Sequence, residues 1–361
     1  MKTVFNSEIL QMARQSRGLS QSALAREVRL SQGLLSRYET GTDEQPTEEL
    51  VVRLAECLKY PVSLFYQTDR MYGLPMSVHP AYRRKASVPQ KKLAQLEAEL
   101  NLRLLQKRRL LAAVDLEEEL PIEERKVGKH GTPEEIAAFV RQIWRVPSGP
   151  IRNLTEYAER AGCLVIETDF SNLGIDGVTM RTSNLPPCIF ISKDIPADRQ
   201  RFTLAHELGH IFMHPIPNDQ MEDEANSFAA ALLMPAKDIM MDFTGRITLD
   251  RLCQLKPVWR ASIASLLYRA KSLNKVTQHQ YLYLWKRLSA SGWRMKEPAE
   301  FDFPKEHPSI FPEIIRLHKE DLGYSPADIS KIIHLSEEEF LSLYDVLDAE
   351  TPKSFLSLVK K

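Results

Sequence analysis

Apolar positions recur at helical spacing along most of the chain. Near the start, Ile9, Leu10 and Ala13 mark one helix face, and Leu24, Ala25 and Val28 mark a second short helix that opens around Leu19-Ser20-Gln21. Ser31 is placed to cap a third helix over residues 32–39, and Gly41 stops it. Pro46-Thr47 opens a fourth, with Leu50, Leu54, Ala55 and Leu58 on one side, and residues 61–65 add a turn. Leu93, Leu96, Leu100, Leu104 and Leu111 predict one amphipathic helix over 91–114. Beyond Gly128, Gly131 and Pro133, the residues Ile136, Ala137, Val140 and Trp144 predict another, and residues 154–161 a further one stopped at Gly162. Three β-rich runs follow, at 163–167, 177–180 and 188–192. Helices then resume from near Asp198: a buried run to His214, a second at 221–235, a pair over 252–273, and one carrying Tyr281, Leu282, Leu284 and Trp285. A Pro-broken loop at 297–304 separates these from helices expected at 311–321, 325–335 and 337–347. The fold class is therefore mainly α with a small β-sheet (α+β).

Composition changes this picture little. The chain has 361 residues, 43% hydrophobic and 27% charged, enough for two or three domains and unlike a disordered or fibrous protein. Basic and acidic residues balance at 48 each, so any preference for an anionic partner has to be local. Residues 1–70 are themselves balanced, nine against nine. Residues 71–115 carry nine basic and three acidic residues, with Arg83, Arg84 and Lys85 in a Pro-flanked loop before the leucine helix. That excess would lay positive charge beside DNA, or be the solvated face of a connector; dimerisation along the leucine stripe is a third option. Acidic residues 117–124 mark the next boundary. Cys57, Cys163, Cys188 and Cys253 form no C-x-x-C pair, which argues against a disulfide framework and for a reducing compartment. No apolar run is long enough to span a bilayer and the N-terminus lacks an apolar signal core, so a soluble, cytoplasmic protein without membrane partners is expected.

The chemistry concentrates in His206-Glu207-Leu208-Gly209-His210. Residues four apart share a helix face, so both imidazoles can be directed at one Zn2+ with Glu207 beside it. The next helix has a stripe of Ala225, Phe228, Ala229 and Leu232 on which Glu224 can also point inward, completing a His, His, Glu set with an open water position. Glu222 is an alternative third ligand, and His214 a helix-end group or a support for a ligand. Neutral imidazoles and one carboxylate leave zinc enough positive charge to acidify water, with Glu207 as the proton acceptor. A site that holds metal without turnover is the alternative.

Two resemblances sharpen these readings. Gly18-Leu19-Ser20-Gln21-Ser22-Ala23-Leu24-Ala25 and Leu30-Ser31-Gln32-Gly33-Leu34-Leu35-Ser36-Arg37-Tyr38-Glu39-Thr40-Gly41 resemble the Cro/repressor-type (XRE-like) helix-turn-helix. By position, the resemblance implies that Gln21, Gln32, Gly33, Ser36 and Arg37 meet double-stranded operator DNA, although Gly33 has no side chain with which to read a base edge. Arg199-Gln200-Arg201-Phe202-Thr203-Leu204-Ala205-His206-Glu207-Leu208-Gly209-His210, with Glu224-Ala225-Asn226-Ser227-Phe228-Ala229-Ala230, resembles the ImmA/IrrE family of zinc metallopeptidase domains over about residues 132–270. Asp176-Gly177-Val178 and Leu232-Leu233-Met234-Pro235 fit the same pattern. This resemblance implies a zincin-like domain with His206, His210 and Glu224 as ligands and Glu207 as general base.

The expected organisation is a helix-turn-helix domain at 1–70, a basic loop and connector helix at 71–125, the metallopeptidase domain at 126–275 and a helical accessory module at 276–361. Together they imply a DNA-binding transcriptional regulator with a zinc-dependent endopeptidase domain, cleaving a repressor or itself in a stress or mobile-element response. The alternative is a non-catalytic regulator whose metallopeptidase-like domain senses a ligand or partner. A pure enzyme whose N-terminal bundle docks its substrate is the third class. A homodimer reading two half-sites fits the first two.

Overall fold

The computed structural model describes residues 4–42, 45–68, 89–116, 118–170, 174–182, 185–344 and 358–360. The basic loop with Arg83, Arg84 and Lys85 lies outside the described residues, as do Glu117 and residues 345–347 of the last expected helix.

The N-terminal helices form where the capping residues put them. Helix α1 (Ser7–Ser16) is capped by the Asn6 side chain, α2 (Gln21–Glu27) by Ser20, α3 (Gln32–Thr40) by Ser31 and α4 (Glu48–Leu58) by Thr47. Gly41, at φ 67°, ends α3 in the left-handed conformation that glycine adopts without strain. Ile9, Leu10, Leu24, Leu35, Leu54 and Phe65 fill the space between the helices. Arg14 and Glu39 are buried there as a bidentate ion pair, Nε to Oε1 at 2.6 Å and Nη2 to Oε2 at 2.8 Å.

The connector helix spans Gln90–Leu111, ending before the expected residue 114 because the chain turns into strand β1 (Val114–Leu116). β1 pairs antiparallel with β5 (Leu358–Lys360), a pairing that no local pattern announced. Leu96, Leu100, Leu104 and Leu111 are buried as the stripe requires, and so are Ala98, Leu102, Leu105 and Leu110. The helix is covered on more than one side because it lies against α1 and also against helices Ile310–Arg316 and Pro326–Ile332. Its basic residues do not all face solvent. Lys107 is 1% exposed, with Nζ 2.7 Å from the Tyr344 hydroxyl and 3.1 Å from the Phe311 ring centroid, and burial holds its pKa well below the usual lysine range.

The three β-rich runs form one sheet in the order β2-β4-β3, with β2 (Leu164–Thr168) parallel and β3 (Gly177–Thr182) antiparallel to β4 (Leu185–Ser192). Alternation sends Leu164, Ile166, Cys188 and Phe190 to one face, and Val165, Ile189 and Ile191 to the other. The sheet is thus a wall between two cores. On the first side lie α1 to α4, the connector helix and the helices of residues 310–344. On the second lie the motif helix (Ala197–Met213), its partner helix (Met221–Leu233) and helices Pro133–Ile143, Leu249–Trp259, Ile263–Ser272 and Gln278–Ala290.

The expected C-terminal module accordingly divides. Leu284 and Leu288 join the second core, whereas Ile310, Phe311, Ile314, Ile329 and Phe340 join the first. Arg17 Nη2 reaches Glu339 Oε2 at 2.9 Å, and Ser63 Oγ lies 2.8 Å from His334 Nδ1, so the helix-turn-helix is fastened to the last helices. Among the described residues no helix is long and apolar enough to cross a membrane.

Candidate metal centre

The motif helix is buried along most of its length and packs on β3, β4 and the partner helix. Gly209 permits the close crossing: a Cβ there would stand 3.1 Å from Phe228 Cδ1 and 3.3 Å from Ala225 Cα. Gly177 does the same for β3, since a Cβ would run into Thr203 of the motif helix.

His206 and His210 face one another with their Nε2 atoms 3.0 Å apart. The carboxylate brought to both is Glu222, whose Oε2 is 3.5 Å from His206 Nε2 and whose Oε1 is 3.5 Å from His210 Nε2. The ligand-type atoms of His206, His210 and Glu222 all lie within 4.8 Å of one another. Glu224, the third ligand expected from the sequence, is placed elsewhere: its Oε2 sits 2.9 Å from His214 Nε2. The correction follows from helix geometry, because two residues along a helix turn a side chain by about 200°. Glu222 and Asn226, four apart, share the face that meets His206, and Asn226 Oδ1 is 3.0 Å from His206 Nδ1.

Glu207 is 3% exposed, and its Oε2 accepts a 2.7 Å hydrogen bond from Thr179 Oγ1 on β3. Neither Thr179 nor Asn226 was singled out from the sequence. Asn226 left a signal in its four-residue spacing from Glu222; Thr179 left none, because only the sheet brings it to the helix.

The electrostatics suit a cation. Burial opposes charge on His206, yet the hydrogen-bonded carboxylate of Glu222 and the charge of Glu207 outweigh it and raise its pKa. Burial first, and then the neighbouring imidazoles of His206 and His214, push His210 down to about 2. His214 is lowered by burial against the pull of Glu224. Glu222 Oε1 is buried without a hydrogen-bond partner, an orphan in the middle of the donor set. Two neutral-capable imidazoles, one carboxylate and an unsatisfied oxygen fit a zinc ion.

Residues 158–271 match the family model of the IrrE N-terminal-like domain, and residues 10–65 match that of the helix-turn-helix. The chain is a fusion of these two kinds of domain. No curated protein matches it. The IrrE-like segment runs from the end of helix Leu154–Arg160 through helix Ile263–Ser272, and so contains the whole sheet, the HExxH helix and its partner. It makes residues 158–271 a peptidase-like domain, and the match over residues 10–65 is to a domain of the DNA-binding type.

In the helix-turn-helix, Gln32, Gly33 and Arg37 are exposed, and Gln21 and Ser36 partly so. A side chain at Gly33 would meet nothing within 4 Å, so this position faces outward. Gln32 Nε2 donates to Gln21 Oε1 at 2.8 Å, and Gln21 Nε2 donates to Glu39 Oε2 at 2.8 Å. The buried ion pair thereby orients the starts of both α2 and α3.

Proposed function

We propose that this fusion is a DNA-binding regulator whose IrrE-like domain is a zinc-dependent endopeptidase acting on a repressor or on the chain itself. The observation that carries the proposal is the convergence of His206, His210 and Glu222 on one point, with Glu207 held beside them by Thr179. In this reading His206, His210 and Glu222 hold zinc, which supplies Lewis acidity toward the scissile carbonyl and lowers the pKa of water to about 7. Glu207 then takes a proton from the attacking water and returns it to the leaving amine, so that the amide bond breaks and one water is consumed. Operator DNA is met by Gln21, Gln32, Ser36 and Arg37, with the backbone at Gly33 allowing close approach, and a dimer reads two half-sites. A reducing cytoplasm suits the unpaired thiols.

The test is metal content followed by proteolysis. Purified protein is expected to carry one zinc per chain, and Glu222→Ala to lose it. Glu207→Gln is expected to keep the zinc and to stop cleavage of candidate repressors; equal cleavage by Glu207→Gln and wild type removes Glu207 from the mechanism.

A second reading, a non-catalytic sensor, draws on the core that the helix-turn-helix shares with one face of the sheet. Full promoter regulation by Glu207→Gln, with zinc bound, would favour it.

A further inference from the structure

We infer that Glu224 acts through His214 as a positioning residue that fixes the tautomer of His210 and so aims its Nε2 lone pair at the metal. The inference rests on the metal-centre reading above. Its basis is a continuous line of atoms: His210 Nδ1 lies 3.0 Å from His214 Nδ1, and His214 Nε2 lies 2.9 Å from Glu224 Oε2. His210 and His214 are 0% and 1% exposed. Asn218 Nδ2 donates to the same Glu224 oxygen at 3.4 Å.

With Glu224 as a carboxylate and His214 as a neutral imidazole, the proton count along this line has one solution. An ionised carboxylate can only accept, so His214 Nε2 carries a hydrogen. A neutral imidazole has one such hydrogen, which leaves His214 Nδ1 as an acceptor. The atom facing it, His210 Nδ1, must then be the donor. His210 Nε2 is left with its lone pair, on the side where His206 Nε2 and Glu222 lie. His206 is oriented in the same sense by a single step, with Asn226 Oδ1 accepting from Nδ1. The two ligands therefore differ in what stands behind them: a neutral amide for His206, and a carboxylate acting through an imidazole for His210. Groups behind a metal-bound histidine raise its basicity, and their loss weakens metal affinity by about 10 to 100-fold.

The experiment is zinc affinity of the full chain by competition with a chromophoric chelator, for wild type, Glu224→Gln, His214→Phe and the double variant. Glu224→Gln keeps the side-chain length and removes the charge; His214→Phe keeps a ring and removes both nitrogens. Each single change is expected to weaken zinc by roughly 10 to 100-fold. The double variant is expected to bind no more weakly than His214→Phe, because Glu224 acts through that ring. Nitrogen-15 shifts of the zinc-loaded wild type should show the hydrogen on Nδ1 of His210 and on Nε2 of His214, an assignment that a merely structural role would not require. One zinc per chain with unchanged affinity in Glu224→Gln, or single effects that multiply in the double variant, overturns the relay and leaves the metal centre standing. Failure of the wild type to bind one zinc overturns both.

Discussion

Replacing Glu39 by Gln removes the anion from a site where Arg14 is 7% and Glu39 5% exposed. Glu39 accepts two bonds from Arg14 and one from Gln21, at 2.6, 2.8 and 2.8 Å. The amide preserves the shape but turns one acceptor oxygen into a donor that faces another donor. Losing one charge-assisted bond costs roughly 1.5–3 kcal/mol, and stranding a buried charge by removing its partner costs about 3–5 kcal/mol. Arg14 keeps its bond from Nη1 to the Leu19 carbonyl at 2.7 Å, which places the loss near the lower end, about 3 kcal/mol. With a urea dependence of about 1–3 kcal/mol per molar, the midpoint should fall by roughly 1–3 M. Far-ultraviolet circular dichroism during urea titration reads this. Trp144, Trp259, Trp285 and Trp293 all lie with the second core, so fluorescence in the same titration reports whether that core follows. The paired change Arg14→Met with Glu39→Met should recover most of the loss, because no charge is then left unpaired. A Glu39→Gln protein within 1 kcal/mol of wild type would refute the argument. Operator affinity supplies a second readout: Gln21 loses the anchor that aligns it with Gln32, so binding should weaken even where the fold survives.

The remaining predictions concern thiols and helix packing. Cys57 is partly exposed, while Cys163, Cys188 and Cys253 are buried, and burial pushes the Cys188 thiol up to about 12 and Cys253 to about 11. N-ethylmaleimide at pH 8 should therefore label Cys57 first in the native protein, as read by peptide mass spectrometry; equal labelling of Cys188 would contradict its burial between β4 and the first core. Cys188 ionises near 9 when unfolded and near 12 when folded, so its contribution to stability is complete below pH 9 and is lost as pH rises toward 12, which urea midpoints across that range would follow. Gly209→Val should destabilise the protein by about 1–3 kcal/mol through overpacking against Phe228 and Ala225, and lower zinc occupancy with it; unchanged thermal stability would contradict the close crossing.

The sequence by itself determined the local elements, because their causes are local. Caps at Asn6, Ser20, Ser31 and Thr47 and the stop at Gly41 set the first four helices, and β-rich runs set the three sheet strands. The four-residue spacing of His206 and His210 likewise put both imidazoles on one face. What the sequence left open depended on direction and distance between elements. Glu222 and Glu224 lie two residues apart on one helix, and only the crossing of that helix over the motif helix, set at Gly209, decides which carboxylate meets the two imidazoles and which meets His214. Thr179 reaches Glu207 because β3 is drawn against the motif helix at Gly177, a contact across 28 residues that no periodicity encodes. The leucine helix was legible as amphipathic, but its burial on further sides and the enclosure of Lys107 came from segments more than two hundred residues away in the chain. Spacing along a chain fixes which side chains share a face; which faces meet is settled by packing, and the candidate metal centre is assembled where they do.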